Sequence, residues 1–304
     1  MTNIYLESHG VIAPGILSVE DIPKTTSRPA SAHTVDWFEA SRNARAARQR
    51  YWSDSARYAF AAAACCTTGP ADRPERLAIC LGTSVADYAA RDDMDRTVLT
   101  DGGDALNAVS TPSFSANMAA TRVAVALQAR AFCSTFTSPF LSGFEALWFG
   151  IHAIRAGHAD NVIAIATEEA LPIDTGDDVL PGAVALRLAN DESAWPCRRL
   201  ATLCWGRAAS PRDLGRRLLQ GLGQFAVTAS PTVIVIANAH DESAAPLVLA
   251  LPRVLGTNVE VSTCTGPGAL APMLSALPAL LSDAPILLVA VHERRFLAFV
   301  CGRF

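Results

Sequence analysis

The chain has 304 residues, half of them hydrophobic and 18% charged, with a formal net charge of −4. A chain this long buries enough surface to fold without a staple, and it shows no basic stripe of the kind that binds nucleic acid. No apolar run reaches the roughly 18 residues of a membrane span, and MTNIYLESHG has no basic stretch followed by an apolar one, so no signal peptide is read and the cytoplasm is expected. The surplus of alanine, valine and leucine over charge points to an oligomer that hides apolar surface. None of the eight cysteines sits in a CxxC or Cys/His spacing, so no metal site is expected and most of them read as small core residues.

In chain order, Asn3 to Ile12 reads as a strand closed by Pro14-Gly15, and residues 16–34 as a Pro-rich loop. Val35 to Arg50 has helical spacing; its Arg42, Arg45, Arg48 and Arg50 form either a solvated face or a docking patch for an acidic carrier protein. Asp54 is expected to cap a helix running to Cys66. Leu77 to Leu81 is a short buried strand, and residues 84–112 read as loop-rich. Ser115 to Gln128 is a helix of small residues, and Ala131 to Phe136 a strand. Gly143 to Arg155 is a helix with apolar residues at 144, 147, 148, 151 and 154, ended by Gly157. Val162 to Ala166 is a strand apolar throughout, as in a sheet covered on both faces, and Ala183 to Leu188 a last antiparallel strand.

The order then repeats. Strands are predicted at Leu200–Trp205, Val233–Ile236, Val259–Ser262, Ile286–Val291 and Phe296–Cys301. Helices fall at Pro211–Phe225, Ser243–Leu251 and Gly268–Leu281. Each half ends in two successive strands, an α/β pattern with an internal repeat. Residues 1–304 therefore read as one unit, with an N-terminal half at 1–190 and a shortened second half at 191–304, layered helix, sheet, helix, sheet, helix.

Residues 111–190 carry a resemblance. Asn117-Met118-Ala119-Ala120 opens a helix, and a strand follows that ends in Phe136-Thr137-Ser138-Pro139-Phe140-Leu141-Ser142-Gly143. Gly157-His158-Ala159-Asp160, Glu168-Glu169-Ala170 and Pro181-Gly182-Ala183-Val184-Ala185-Leu186 come next, and Ser8 to Pro14 forms a similar opening strand and turn. In this order the segments resemble the ketoacyl synthases, which implies the five-layered αβαβα thiolase-like fold built from two similar halves. The family's condensing reaction uses a cysteine thiolate, activated at a helix N-terminus, and two histidines that stabilise developing oxyanions.

This chain departs from that set. The nucleophile position falls on Phe140, and Cys133 lies near the start of the strand, too far away at about 3.3 Å per residue to substitute. His240, in Ile236-Ala237-Asn238-Ala239-His240-Asp241, matches the first family histidine, whereas Pro267 stands in the place of the second. Val289 to Arg294 replaces the glycine-rich loop near the end.

The resemblance therefore implies a chain length factor of a type II polyketide synthase, of the polyene-making kind. Such a subunit has no catalytic residues of its own and no cofactor. It forms a heterodimer with an active ketosynthase and meets an acyl carrier protein transiently. The interface strand would comprise Ala131, Phe132, Cys133, Ser134, Thr135 and Phe136. Phe114, Ser115, Met118 and Phe140 would bound the acyl tunnel and limit chain length by their bulk. Phe140 is either a plug in a vestigial pocket or an ordinary core aromatic; Phe114 and Met118 are either tunnel residues or plain core. Ser142 lacks a surrounding GxSxG and reads as a helix N-cap. Two alternatives stay open: a decarboxylase or thioester hydrolase using His240, and a homodimeric acyl-binding scaffold.

Overall fold

The computed structural model describes residues 3–16, 22, 38, 49, 51–67, 73–84, 87–109, 111–171, 179–190, 198–223, 231–255, 259–264 and 268–302. Apart from Phe38 and Gln49, the helix expected at 35–50, with its arginines, lies outside the described residues, as does Pro267.

The first half runs β1 (Tyr5–Ile12), α1 (Asp54–Cys65), β2 (Leu77–Gly82), α2 (Tyr88–Asp101), α3 (Met118–Leu127), β3 (Cys133–Phe136), α4 (Ser142–Arg155), β4 (Asn161–Glu168) and β5 (Gly182–Ala189). The second runs β6 (Arg198–Arg207), α5 (Pro211–Leu222), β7 (Thr232–Asn238), α6 (Ala245–Leu255), β8 (Val259–Cys264), α7 (Leu270–Leu280), β9 (Ile286–His292) and β10 (Arg295–Gly302).

The strands are ordered β3-β2-β4-β5-β1-β6-β10-β9-β7-β8. β2 is parallel to β3 and β4, and β5 runs antiparallel to β4 and β1. β7 is parallel to β8 and β9, and β10 runs antiparallel to β9 and β6. Counted outward from their meeting point, the two half-sheets have the same order and directions, so the internal repeat seen in the sequence is a structural duplication. They join through a short β1–β6 pairing at Tyr5↔Arg199 and Leu6↔Arg198.

Three apolar layers hold the five structural layers together. Phe60 and Ala63 of α1 and Val123 of α3 pack on Ile79, Leu81, Ile163 and Ile165 on the outer face of the first half-sheet. Phe144, Leu147 and Ile151 of α4 and Met273 and Leu277 of α7 fill the space between the half-sheets. Leu214 and Leu218 of α5 and Leu247 and Leu251 of α6 cover the outer face of the second. β9 shows why such strands read as continuous apolar runs: Leu287, Val289 and Val291 face α5 and α6, while Leu288 and Ala290 face the central helices. The β9–β10 hairpin turns on Glu293 (φ 48°) and Arg294 (φ 63°), the paired positive φ of a two-residue type I′ turn.

The structure corrects three local expectations. Residues 84–112 are not mainly loop, because α2 occupies Tyr88–Asp101; only Met94 of this helix is buried, so it lacks an apolar stripe to reveal it. The cap of α1 is Ser53, whose Oγ accepts from the Ala56 N–H; Asp54 is already inside the first turn and pairs with Arg57. Ser142 does not cap α4: it is inside the helix, buried, and its hydroxyl has no partner among the described residues. Among the described residues no helix is long and apolar enough to cross a membrane.

Candidate functional site: a strand–helix turn filled by an aromatic ring

β3 ends at Phe136, and the chain turns through 137–141 into α4. Phe140 occupies this turn at φ 66° and is fully buried. Left-handed backbone costs a non-glycine residue about 1–2 kcal/mol, so the surrounding packing must hold Phe140 there. Part of that packing is the close seating of α4 on the end of β2. A Cβ on Gly82 would lie 2.3 Å from the Ser142 backbone, and one on Gly143 would lie 2.5 Å from Met273 Cγ. The positive end of the α4 dipole thus faces the turn, a setting suited to an anion such as a thiolate. An apolar ring stands there instead.

The second half closes over this ring. His292, at the end of β9, stacks on Phe140 with centroids 5.4 Å apart and planes at 30°. Its Nδ1 lies 3.2 Å from Asp241 Oδ2. Asp241 follows β7 and also accepts from the Ser243 hydroxyl at 2.7 Å and from the backbone N–H groups of Ser243, Ala244 and Glu293. Burial pushes the Asp241 carboxyl up, but these donors and His292 outweigh it and hold the group below the usual aspartate range. The residues brought together are Phe140, His292 and Asp241, not Phe140 and His240. His240 is exposed, and its backbone N–H donates to Asn238 Oδ1 at 2.9 Å.

Glu168, fully buried at the end of β4, ties the two halves together. It accepts from Thr83 Oγ1 (3.0 Å), the Ser84 N–H (2.6 Å) and Ser84 Oγ (2.8 Å) beyond β2, and from the Ala269 N–H (2.8 Å) at the start of α7. The next residue, Glu169, accepts from the Ala89 N–H at 2.9 Å. Its neighbour Asp87 is held by the hydroxyls of Ser53 and Ser55. Burial, aided by the charges of Asp87 and Asp54, pushes the Glu169 carboxyl up to about 8.

The sign of the linkage follows. Folded Glu169 keeps its proton up to about pH 8, whereas the unfolded chain releases it near the ordinary value of 4.5. This group's contribution to stability is therefore greatest below that ordinary value and is lost as pH rises toward 8, at up to about 1.4 kcal/mol per pH unit. Glu169→Gln is expected to flatten that slope and to raise Tm above wild type at pH 8.5. Equal pH slopes for the two proteins in thermal unfolding from pH 5 to 9 would contradict the assignment.

Burial pushes the Cys66 and Cys301 thiols up to about 12 and the Cys204 thiol to about 11, and Cys80 higher still. Cys65 and Cys133 are exposed, and Cys133 opens β3 at the end away from the turn. No group of three His, Cys, Asp or Glu side chains that could hold a metal occurs among the described residues.

Among the described residues β3 is the terminal strand of the sheet, bonded to β2 on one side with its other edge open. The pairing continues through Ala131 and Phe132, which bond to Leu77 and Ile79. β3 carries no charge, whereas β8 at the opposite edge presents an exposed Glu260. Long open edges without charge invite pairing with another chain. The same half exposes several large apolar side chains: Phe114 is 63% exposed, Val125 of α3 74% and Leu99 of α2 86%. Ser115 is exposed and Met118 half-buried, so neither Phe114 nor Ser115 is core in this chain. A groove of about 620 Å³, lined by Phe132, Ser134, Phe149, His152 and His158 among others, runs beside the strand.

The duplicated half-sheets, the central helix pair and the strand–helix turn define a thiolase-like fold. Residues 31–180 match the family described as "Beta-ketoacyl synthase, N-terminal domain", and the chain carries a ketosynthase-like domain. Solved structures share the fold. "AntDE:AntF (apo): type II PKS acyl-carrier protein in complex with its ketosynthase bound to the hexaketide" aligns at TM-score 0.76 and 14% identity, covering 100% of this chain and 99% of that one. "The ishigamide ketosynthase/chain length factor" aligns at TM-score 0.73 and 15% identity, covering 99% of each. "Ketosynthase (ApeO) in Complex with its Chain Length Factor (ApeC) from Xenorhabdus doucetiae" aligns at 0.63 and 14%, covering 99% and 98%. No curated protein matches the sequence.

His292, Asp241 and Glu168 were not singled out from sequence as site residues. A usable signal was present for two of them: the hydrophobic strand ending in Val291-His292-Glu293, and the strand-closing Asn238-x-x-Asp241.

Proposed function

We propose that the chain is a non-catalytic chain length factor, which pairs with an active ketosynthase in the cytoplasm and shapes the tunnel that limits a polyene acyl chain. The observation that carries this reading is Phe140: the turn that would present a nucleophile at a helix N-terminus holds a buried aromatic ring at φ 66°. The ring fills the space a thioester would need, and a phenyl group cannot attack a carbonyl.

The partner reading draws support from the uncharged outer edge of β3 and the exposed apolar side chains of the same half. Two of the similar structures are described as a ketosynthase with a chain length factor, and a third as a ketosynthase with an acyl carrier protein. In the proposed heterodimer β3 adds to the partner's equivalent strand, and the carrier protein delivers the chain through the partner. Phe114, Ser115 and Met118 would meet the growing chain at the seam.

The test is reconstitution with the ketosynthase partner and carrier protein. Alone, the chain is expected to show no condensation or decarboxylation, and His240→Ala is expected to leave the complex's rate unchanged. Phe114→Ala and Met118→Ala are expected to lengthen the product by at least one extender unit, read by mass spectrometry. Wild-type product length from both variants would remove Phe114 and Met118 from the tunnel.

A further inference from the structure

A second cavity, of about 370 Å³, opens between α4 and the β6–β10 pair. Its wall is apolar and aromatic: Phe136, Leu141, Trp148, Trp205, Phe296 and Leu297. The volume falls in the range of small-molecule sites, which are mostly apolar with a few placed polar groups. Trp205 is 60% exposed and meets Trp148 with ring centroids 5.1 Å apart and planes at 56°, so one broad aromatic surface is open to a ligand.

The charges at this cavity do not balance. Arg207 and Arg295 stand directly opposite each other on β6 and β10, a like-charge pair that disfavours itself. Glu145 takes up Arg295, which also donates to Ser138 Oγ at 3.3 Å. Arg207 is exposed, and its guanidinium has no hydrogen-bond or ion-pair partner among the described residues. One cation is left over. Trp205 and Arg207 are two residues apart on β6, so both project from the same face, roughly 7 Å apart along the strand.

We propose that this cavity binds a carboxylate with a flat, unsaturated apolar body, which lies against Trp205 while its carboxylate pairs with Arg207. The flat body matches the open indole face, and the single negative charge matches the single unpaired guanidinium, which can hold a carboxylate through two parallel hydrogen bonds. A saturated chain gains burial but no stacking, and a neutral ester gains stacking but no ion pair. The site is independent of the partner-subunit reading, because the full chain by itself contains every group invoked.

The experiment titrates the purified full chain with a conjugated tetraenoic acid, whose absorption overlaps tryptophan emission, and with its methyl ester, following fluorescence quenching. Saturable quenching by the acid, with the ester binding about tenfold more weakly, is the expected result, a factor equal to about 1.4 kcal/mol. Arg207→Gln is expected to abolish the acid–ester difference, and Trp205→Ala to weaken both ligands at least fivefold. Both side chains are exposed, and unchanged circular dichroism would verify that the variants fold. Equal binding of acid and ester, no saturation, or an unaltered acid–ester ratio in Arg207→Gln would each overturn the proposal. It would also be overturned if the acid fails to saturate while either variant reduces association with a ketosynthase, since the cavity would then take a partner's side chains.

Discussion

Phe140→Ala is expected to lower the unfolding free energy by about 3–5 kcal/mol, the cost of deleting a buried aromatic ring and leaving a cavity. Phe140 is fully buried at the junction of the two halves, with His292 stacked on it from β9. Collapse of the cavity is limited, because Gly82 and Gly143 already bring α4 into direct backbone contact with its neighbours. The order of substitutions adds a sharper test. At ordinary positions glycine is less stable than alanine, but at the φ of 66° found here glycine is the relaxed residue. Phe140→Gly is therefore expected to be at least as stable as Phe140→Ala in urea unfolding. A glycine variant about 1 kcal/mol less stable than the alanine variant would argue against the left-handed turn.

Glu168→Ala is the second large effect, expected at about 3–5 kcal/mol. The substitution strands donors from two different parts of the chain, the Ser84 N–H in a part-buried position and the fully buried Ala269 N–H. Glu168→Gln keeps one carbonyl acceptor but turns an NH2 group toward donors, so a smaller loss of about 1–3 kcal/mol is expected. Hydrogen exchange separates this linkage from a general loosening. Ala269 and Ser84 amides are expected to lose protection together in Glu168→Ala, well beyond the change at Leu214 or Val235 in the third apolar layer. Uniform loss across all three layers would mean that Glu168 does not join the halves in particular.

Much of the architecture was legible in the sequence because half of the described strands, β2, β4, β5, β9 and β10, are buried on both faces. β4, β9 and β10 read as unbroken apolar runs for that reason, whereas Arg187 interrupts β5, and α4 and α7 read as apolar helices. The duplication was legible because the order of runs repeats. α2 was not: with only Met94 buried, nothing in its composition separates it from a polar loop. Ser142 read as a cap because Ser-Gly often opens helices, yet the helix packs so tightly against β2 that its first residue is buried.

The candidate site was legible in part. The strand–helix turn around Phe140 was visible as a motif, but His292 was not, because a histidine at a strand end says nothing about which ring lies across from it. His240 was read as the residue matching a family histidine, and the neighbouring Asp241 as part of that motif alone. The fold turns His240 to solvent and Asp241 inward, a difference of one position that follows from the turn after β7. Phe114 and Met118 read equally well as tunnel or core from sequence; in the single chain Phe114 is exposed, which takes it out of the core, and Met118 is half-buried.

The partner-subunit claim is tested most directly by the native mass of the protein purified gently from its own host. The account predicts a 1:1 complex with a larger ketosynthase that carries an intact cysteine and two histidines, held through the open edge of β3. A homodimer with no ketosynthase bound would contradict it.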